Sequence, residues 1–182
     1  MPEIPRASSL HTALTSGSAL FFTRLDLARV GGHAGAMTQD ILPHAPAPQR
    51  ALEIALYAED LEICATFYDR VIGLERGPEV PERHVFFRLG DGMLLLFNPK
   101  ATSVPTDNPD LPVPPHGATG EGHLCFAADR AAIANWKLRL QAAGVAIEAE
   151  FDWPNGARSL YCRDPAGNSI EFAEPRLWER NA

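Results

Sequence analysis

The stretch Tyr161-Cys162-Arg163-Asp164-Pro165-Ala166-Gly167-Asn168-Ser169-Ile170-Glu171-Phe172-Ala173-Glu174-Pro175 decides how the rest of the chain reads. It predicts a strand, a tight turn over Asp164–Gly167 and a second strand. Pro165 presets the backbone at the second turn position, and Gly167 supplies the freedom the turn needs at its end. The second strand carries Glu171 between Ile170 and Phe172. An unpaired buried carboxylate is costly, so a charge among large apolar neighbours points to a cavity or a metal ion.

Working outward, the segment before this hairpin predicts a strand over Gly122–Ala127, with His123 and Cys125 facing opposite to Leu124 and Phe126. Asp129 is a candidate N-cap, and Ala132, Ile133, Trp136 and Leu140 form an apolar helix face that stops at Gly144. A strand beginning at Val145 and a Trp153–Gly156 turn lead into the hairpin. The same plan stands earlier in the chain. Leu52, Ile54 and Leu56 alternate with Glu53, Ala55 and Tyr57, as in a half-buried strand. Asp60 caps a helix that runs to Gly73, and Val85–Leu89 and Met93–Phe97 form a hairpin about a Gly-Asp-Gly turn. The chain is therefore an internal repeat of about 50 to 70 residues.

Module one is expected over 51–99 and module two over 122–175, inside one domain of residues 50–178. The linker, 100–121, and its flanks hold six prolines from Pro99 to Pro115, which suits a crossing between units better than a short internal loop. Residues 1–49 are rich in Ala, Ser, Gly and Pro and are expected to be disordered or to lie upstream of a natural start at Met37.

The composition is that of an ordinary soluble domain, 46% hydrophobic and 21% charged. A formal charge of -7 argues against nucleic acid, which needs a basic stripe, and no apolar run reaches the about 20 residues of a membrane span. Three isolated cysteines without a Cys-x-x-Cys pair suit neither a zinc ribbon nor a disulfide framework, and a reducing cytoplasmic setting is expected.

Superposing the repeats puts Glu53 on His123 and puts Glu171 on Leu95 or Leu96. Glu53, His123 and Glu171 all sit opposite the large aliphatics of their strands. Two carboxylates and an imidazole around a divalent ion leave positions open for water or substrate. Tyr161, Tyr57 and His116 are the candidate catalytic groups, His116 lying just before the Gly-rich segment 117–122. Trp153 and Arg158 are candidate substrate contacts.

Residues 51–175 resemble the vicinal oxygen chelate superfamily, which includes glyoxalase I, bleomycin-resistance proteins and extradiol dioxygenases. The resemblance is carried by Phe67-Tyr68 before Val71-Ile72-Gly73-Leu74, by the Gly122-His123 strand start, and by Arg163–Asn168 leading into Ile170-Glu171-Phe172. It implies an α+β fold of two paired βαβββ modules forming a cupped mixed sheet, usually in a homodimer. It also implies a divalent metal (Fe, Mn, Zn or Ni) that chelates a small substrate through adjacent oxygens. Carried over, Glu53 takes the first ligand position, His123 that of the second module, and Glu171 the closing one. Tyr161 matches the place of an active-site Tyr in extradiol dioxygenases.

The chain departs from glyoxalase I-like enzymes at Leu95 or Leu96, where those enzymes place a fourth ligand that also serves as a base. That argues against lactoylglutathione lyase activity. Two carboxylates rather than one on the metal lower its Lewis acidity and favour dioxygen activation over proton abstraction. The expectation is a dioxygenase-like or lyase-like enzyme. The alternative is a metal-free binding protein of the bleomycin-resistance type, with tryptophans such as Trp136, Trp153 and Trp178 lining its groove.

Overall fold

The structure, a computed structural model, describes residues 45–179. The expectation for residues 1–49 falls almost wholly outside them. Among the described residues eight strands form two four-stranded sheets. The first half contains β1 (Glu53–Tyr57), α1 (Leu61–Thr66), β2 (Arg76–Val80), β3 (His84–Leu89) and β4 (Gly92–Phe97). A short α2 (Pro99–Thr102) opens the connector. The second half contains β5 (His123–Ala127), α3 (Arg130–Ala142), β6 (Ile147–Asp152), β7 (Arg158–Arg163) and β8 (Ser169–Ala173). The sheet orders are β1-β4-β3-β2 and β5-β8-β7-β6, with β1 parallel to β4 and β5 parallel to β8. This is the α+β architecture of two βαβββ units that the family resemblance implied.

Local chemistry accounts for the element ends. Asp60 accepts a hydrogen bond from the Ile63 amide at 3.1 Å, and Asp129 accepts one from the Ala132 amide at 2.8 Å, so each helix starts at a carboxylate cap. The first helix does not run as a single α-helix to its glycine. It widens into a π-helical turn over Phe67–Ile72, and the Gly73 and Leu74 amides both reach back to the Tyr68 carbonyl. Gly73 closes it at φ +86°, a left-handed conformation that a side chain disfavours. Helix α2 was not foreseen among the prolines. Pro99 sits where the amide has no partner to lose, and Asn98 caps the Lys100 amide at 3.0 Å. Leu52, expected on the inner face, is 63% exposed and lies just outside β1.

Alternation along the strands divides each sheet into two faces. Leu56, Leu94 and Leu96 of the first sheet share one buried core with Leu124, Leu160, Ile170 and Phe172 of the second. The helices contribute Cys64, Tyr68, Ile133 and Leu140 to the same core, and the half-buried Trp136 ring lies over Phe172 at 4.5 Å. Because both inner faces meet in this core, both outer faces turn away from it.

The Asp164–Gly167 turn fastens the halves together. Buried Asp164 accepts from the Tyr68 hydroxyl at 2.8 Å and from the Asn168 side-chain amide at 2.8 Å. Asn168 also accepts from the Gly122 amide at 2.7 Å and donates to the Tyr57 carbonyl at 3.2 Å. A Cβ on Gly122 would lie 2.8 Å from the Asn168 side-chain oxygen, so glycine is needed there for the close approach. Burial, followed by the Asp164 charge, pushes the Tyr68 hydroxyl far above the ordinary tyrosine range.

Asn168→Ala strips a partner from buried Asp164 and from the Gly122 amide and breaks the tie to β1. It should destabilise the fold by about 2–4 kcal/mol in urea denaturation. A loss near zero would mean that the turn does not hold the halves together.

Candidate functional site

On the outer face of the second sheet, Glu171 pairs with Cys125 across β5–β8 and with Tyr161 across β7–β8. Although on an outer face, Glu171 is only 4% exposed. Its carboxylate is held from two sides. Ser159 donates to Oε1 at 2.6 Å and Tyr161 donates to the same oxygen at 2.7 Å. The other oxygen, Oε2, stands 3.3 Å from His123 Nε2. Behind Ser159, the Trp153 indole donates to its hydroxyl oxygen at 2.8 Å. The Tyr161 ring stacks against Phe151 at 5.8 Å and lies nearly parallel to His123 at 6.5 Å.

Burial, then the hydrogen bond to Glu171, raises the Tyr161 hydroxyl to about 12. It is therefore a neutral donor at physiological pH. Burial and the Glu171 carboxylate also push the Cys125 thiol up to about 12, so it is not a thiolate nucleophile near neutrality.

The outer face of the first sheet forms a separate cavity of about 810 Å³, whose lining comes only from the first half and the connector. Glu53, Tyr57 and His116 belong to it. The Tyr57 hydroxyl and His116 Nδ1 are 2.9 Å apart, and the His116 ring meets the Phe97 ring edge to face at 4.6 Å. Glu53 is exposed there and has no hydrogen bond to His123 or Glu171. Among the described residues no group of three His, Cys, Asp or Glu side chains stands close enough to hold a metal ion within one chain.

Strand register resolves the repeat alignment. Ala55 pairs with Leu95 as Cys125 pairs with Glu171, so Leu95 is the counterpart of Glu171, whereas Leu96 points into the core.

The structure thus brings His123, Glu171 and Tyr161 together, with Trp153 one hydrogen bond behind. It places Glu53 with Tyr57 and His116 on the other outer face. Arg158 does not join either group. It lies on the opposite face of β7 from Ser159 and Tyr161, where Glu150 and Asp152 hold its guanidinium at 2.7 Å and 2.8 Å. Sequence reasoning missed Ser159, although its position two residues before Tyr161 on a strand puts both on one face.

The 3.3 Å between Nε2 and Oε2 suits a shared cation. Two ligands at about 2.0–2.2 Å from one divalent ion, at angles from square to tetrahedral, stand roughly 3.0–3.5 Å apart. With Oε1 fully engaged, Oε2 is the oxygen left for a metal. The remaining positions on such an ion would have to come from outside this half-site.

The family model of the Glyoxalase/Bleomycin resistance protein/Dioxygenase superfamily matches residues 50–172. The chain is similar to the crystal structure of lactoylglutathione lyase from Agrobacterium tumefaciens at 46% identity and TM-score 0.71, over 74% of this chain and 100% of that one. It is also similar to a glyoxalase/dioxygenase from Nostoc punctiforme at 25% identity and TM-score 0.52, over 72% and 97% of the two chains. An integron cassette protein from the mobile metagenome of Halifax Harbour sewage outfall matches at 24% identity and TM-score 0.56, over 70% and 99%, which shows the fold alone. No curated protein matches the chain. The chain belongs to the Glyoxalase/Bleomycin resistance protein/Dioxygenase superfamily.

Proposed function

We propose that the protein is a divalent-metal-dependent enzyme, dioxygenase-like or lyase-like, acting on a small oxygenated molecule chelated through adjacent oxygens, and that it works as a homodimer. The observation that carries this reading is the buried Glu171 carboxylate, pinned through Oε1 by Ser159 and Tyr161, with Oε2 facing His123 Nε2 at 3.3 Å. A carboxylate oriented in this way, with no lysine or arginine among its described contacts, suits a metal ligand whose supporting shell is already in place.

His123 and Glu171 would hold the ion together with Glu53 of the partner subunit. Two outer faces turned away from one core do not meet within a chain, and a second copy would bring them together. A twofold dimer that sets the first sheet of one copy against the second sheet of the other creates two equal sites. When bound, an iron, manganese, zinc or nickel ion supplies Lewis acidity to the chelated oxygens.

The chain's own groups do the rest. The neutral Tyr161 hydroxyl orients Glu171 and is placed to donate to an oxyanion beside it. Tyr57 and His116 stand within hydrogen-bond distance of one another, a pair placed to relay a proton over the cavity. Trp153 fixes Ser159 and thereby Glu171, a supporting role rather than a substrate contact. The similarity to a protein described as lactoylglutathione lyase supports the lyase-like half of the reading. Leu95 at the repeat counterpart of Glu171 speaks against a reaction that needs a carboxylate base at that position.

The metal-free binding alternative draws on the row of Phe151, Trp153 and Tyr161 rings beside His123. The three cysteines are free and support a reducing, cytoplasmic setting. None of the described helices is long and apolar enough to cross a membrane.

Protein purified without chelators should carry close to one metal ion per chain by elemental analysis, and His123→Ala and Glu171→Ala should lose nearly all of it. Full-length protein that neither holds nor takes up metal at micromolar concentration would favour the binding-protein reading. Co-expression of Glu53→Ala with Glu171→Ala chains should restore about a quarter of the parental metal sites, because half of random dimers contain one intact site. No restoration would remove the shared site.

A further inference from the structure

The cavity over the first sheet contains a residue that the metal reading does not use. Arg83 lines it, and among the described residues is the only permanent cation that does. The guanidinium is already oriented. Its Nη1 donates to the Ala101 carbonyl at 2.6 Å, while its Nε–Nη2 edge has no partner among the described residues. That edge presents two parallel N–H groups, the geometry that fits a carboxylate. The chain uses the same edge twice elsewhere. Arg158 holds Asp152 through Nε at 2.8 Å and Nη2 at 3.1 Å. Arg163 holds Glu148 through Nε at 2.7 Å and Nη2 at 2.8 Å.

The local backbone is specialised to hold Arg83 in place. Glu82, immediately before it, has φ +60°, the only non-glycine residue with positive φ among those described. A left-handed residue without glycine's freedom persists only where its surroundings enforce it. Here Arg83 is tied at both ends. Its amide donates to the Val80 carbonyl at 3.0 Å, and its carbonyl accepts from the Asn98 amide at 2.9 Å.

Strand register sets the scale of the cavity. Tyr57, Phe97 and His84 form one row across β1, β4 and β3, and Ala55, Leu95 and Phe86 form the next. Glu53 lies one row further. Four strand residues separate the Glu53 row from the row beside Arg83, about 13 Å at the usual rise. The floor beside Arg83 is largely aromatic. The His84 ring stacks on Phe86 at 4.2 Å, and Phe86 meets Phe97 edge to face at 5.4 Å. Burial, then the Arg83 charge, holds the His84 imidazole below its ordinary range, so it adds an aromatic surface rather than a second cation.

We propose that this cavity takes a carboxylate-bearing substrate, its carboxylate seated on the Nε–Nη2 edge of Arg83 and its aromatic or conjugated body lying over Phe86 and Phe97 toward the Glu53 end. The assignment of that far end to the reacting oxygens rests on the proposed metal-dependent function. The carboxylate seat itself does not. The about 810 Å³ available suits such a molecule rather than a two-carbon or three-carbon acid.

The test is calorimetric titration of full-length, metal-free protein with trans-cinnamate and, separately, with trans-cinnamamide, which has the same body and no charge. Cinnamate should bind about ten-fold more tightly than the amide, the ratio expected of one oriented charge-assisted pair. Arg83→Gln should reduce cinnamate to the affinity of the amide and leave the amide unchanged, which also shows that the variant is folded. Arg83→Lys should retain part of the preference, and Phe86→Ala should weaken both probes. Equal binding of acid and amide, a preference that survives Arg83→Gln, or no binding of cinnamate at millimolar concentration would each overturn the proposal. The titration reads the carboxylate seat with no metal present. Arg83-dependent binding in a protein that takes no metal would therefore sink the metal reading alone.

Discussion

One constraint organises the molecule: the inner faces of both sheets are spent on a single core. Leu56, Leu94 and Leu96 meet Leu124, Ile170 and Phe172 there, and strand alternation then dictates that Glu53 and the His123–Glu171 pair look outward on separate surfaces. A side chain cannot serve the core and the site at once. On the proposed function each half displays part of one ligand set, which a second copy of the chain would complete.

Two buried carboxylates, Asp164 at the start of the closing turn and Glu171 seven residues later, show how environment divides labour. Asp164 is saturated by the Tyr68 hydroxyl, the Asn168 side chain and the Ala166 and Asn168 amides. Nothing is left over, and its work is structural. Glu171 has one oxygen engaged by Ser159 and Tyr161, while the other stands 3.3 Å from His123 Nε2. The same functional group is a fastening in one place and a candidate ligand in the other. The difference lies in how many donors surround it.

Much of this was legible in the sequence because it depends on local chemistry. Asp60 and Asp129 as caps, Gly73 as a stop and the Asp164–Gly167 turn are set by residues within one turn of each other. The placement of Glu171 opposite Ile170 and Phe172 follows from the period of a strand. What could not be read depends on contacts distant in sequence. Whether Glu53 meets His123 turns on how the two halves pack, which no spacing encodes. The face of Arg158 was readable from alternation with Tyr161, but Glu150 and Asp152 claim it through a neighbouring strand. Arg83 gave no signal, since its free edge is defined by the Ala101 carbonyl of a helix that the surrounding prolines concealed.

The most direct measurement of the central claim is anomalous diffraction at the metal edge from crystals of the full chain grown with manganese. The account predicts one peak per chain within bonding distance of His123 Nε2 and Glu171 Oε2, with Glu53 of the partner subunit completing the protein ligands. A peak elsewhere, or none at saturating manganese with His123 and Glu171 still in contact with each other, would contradict it.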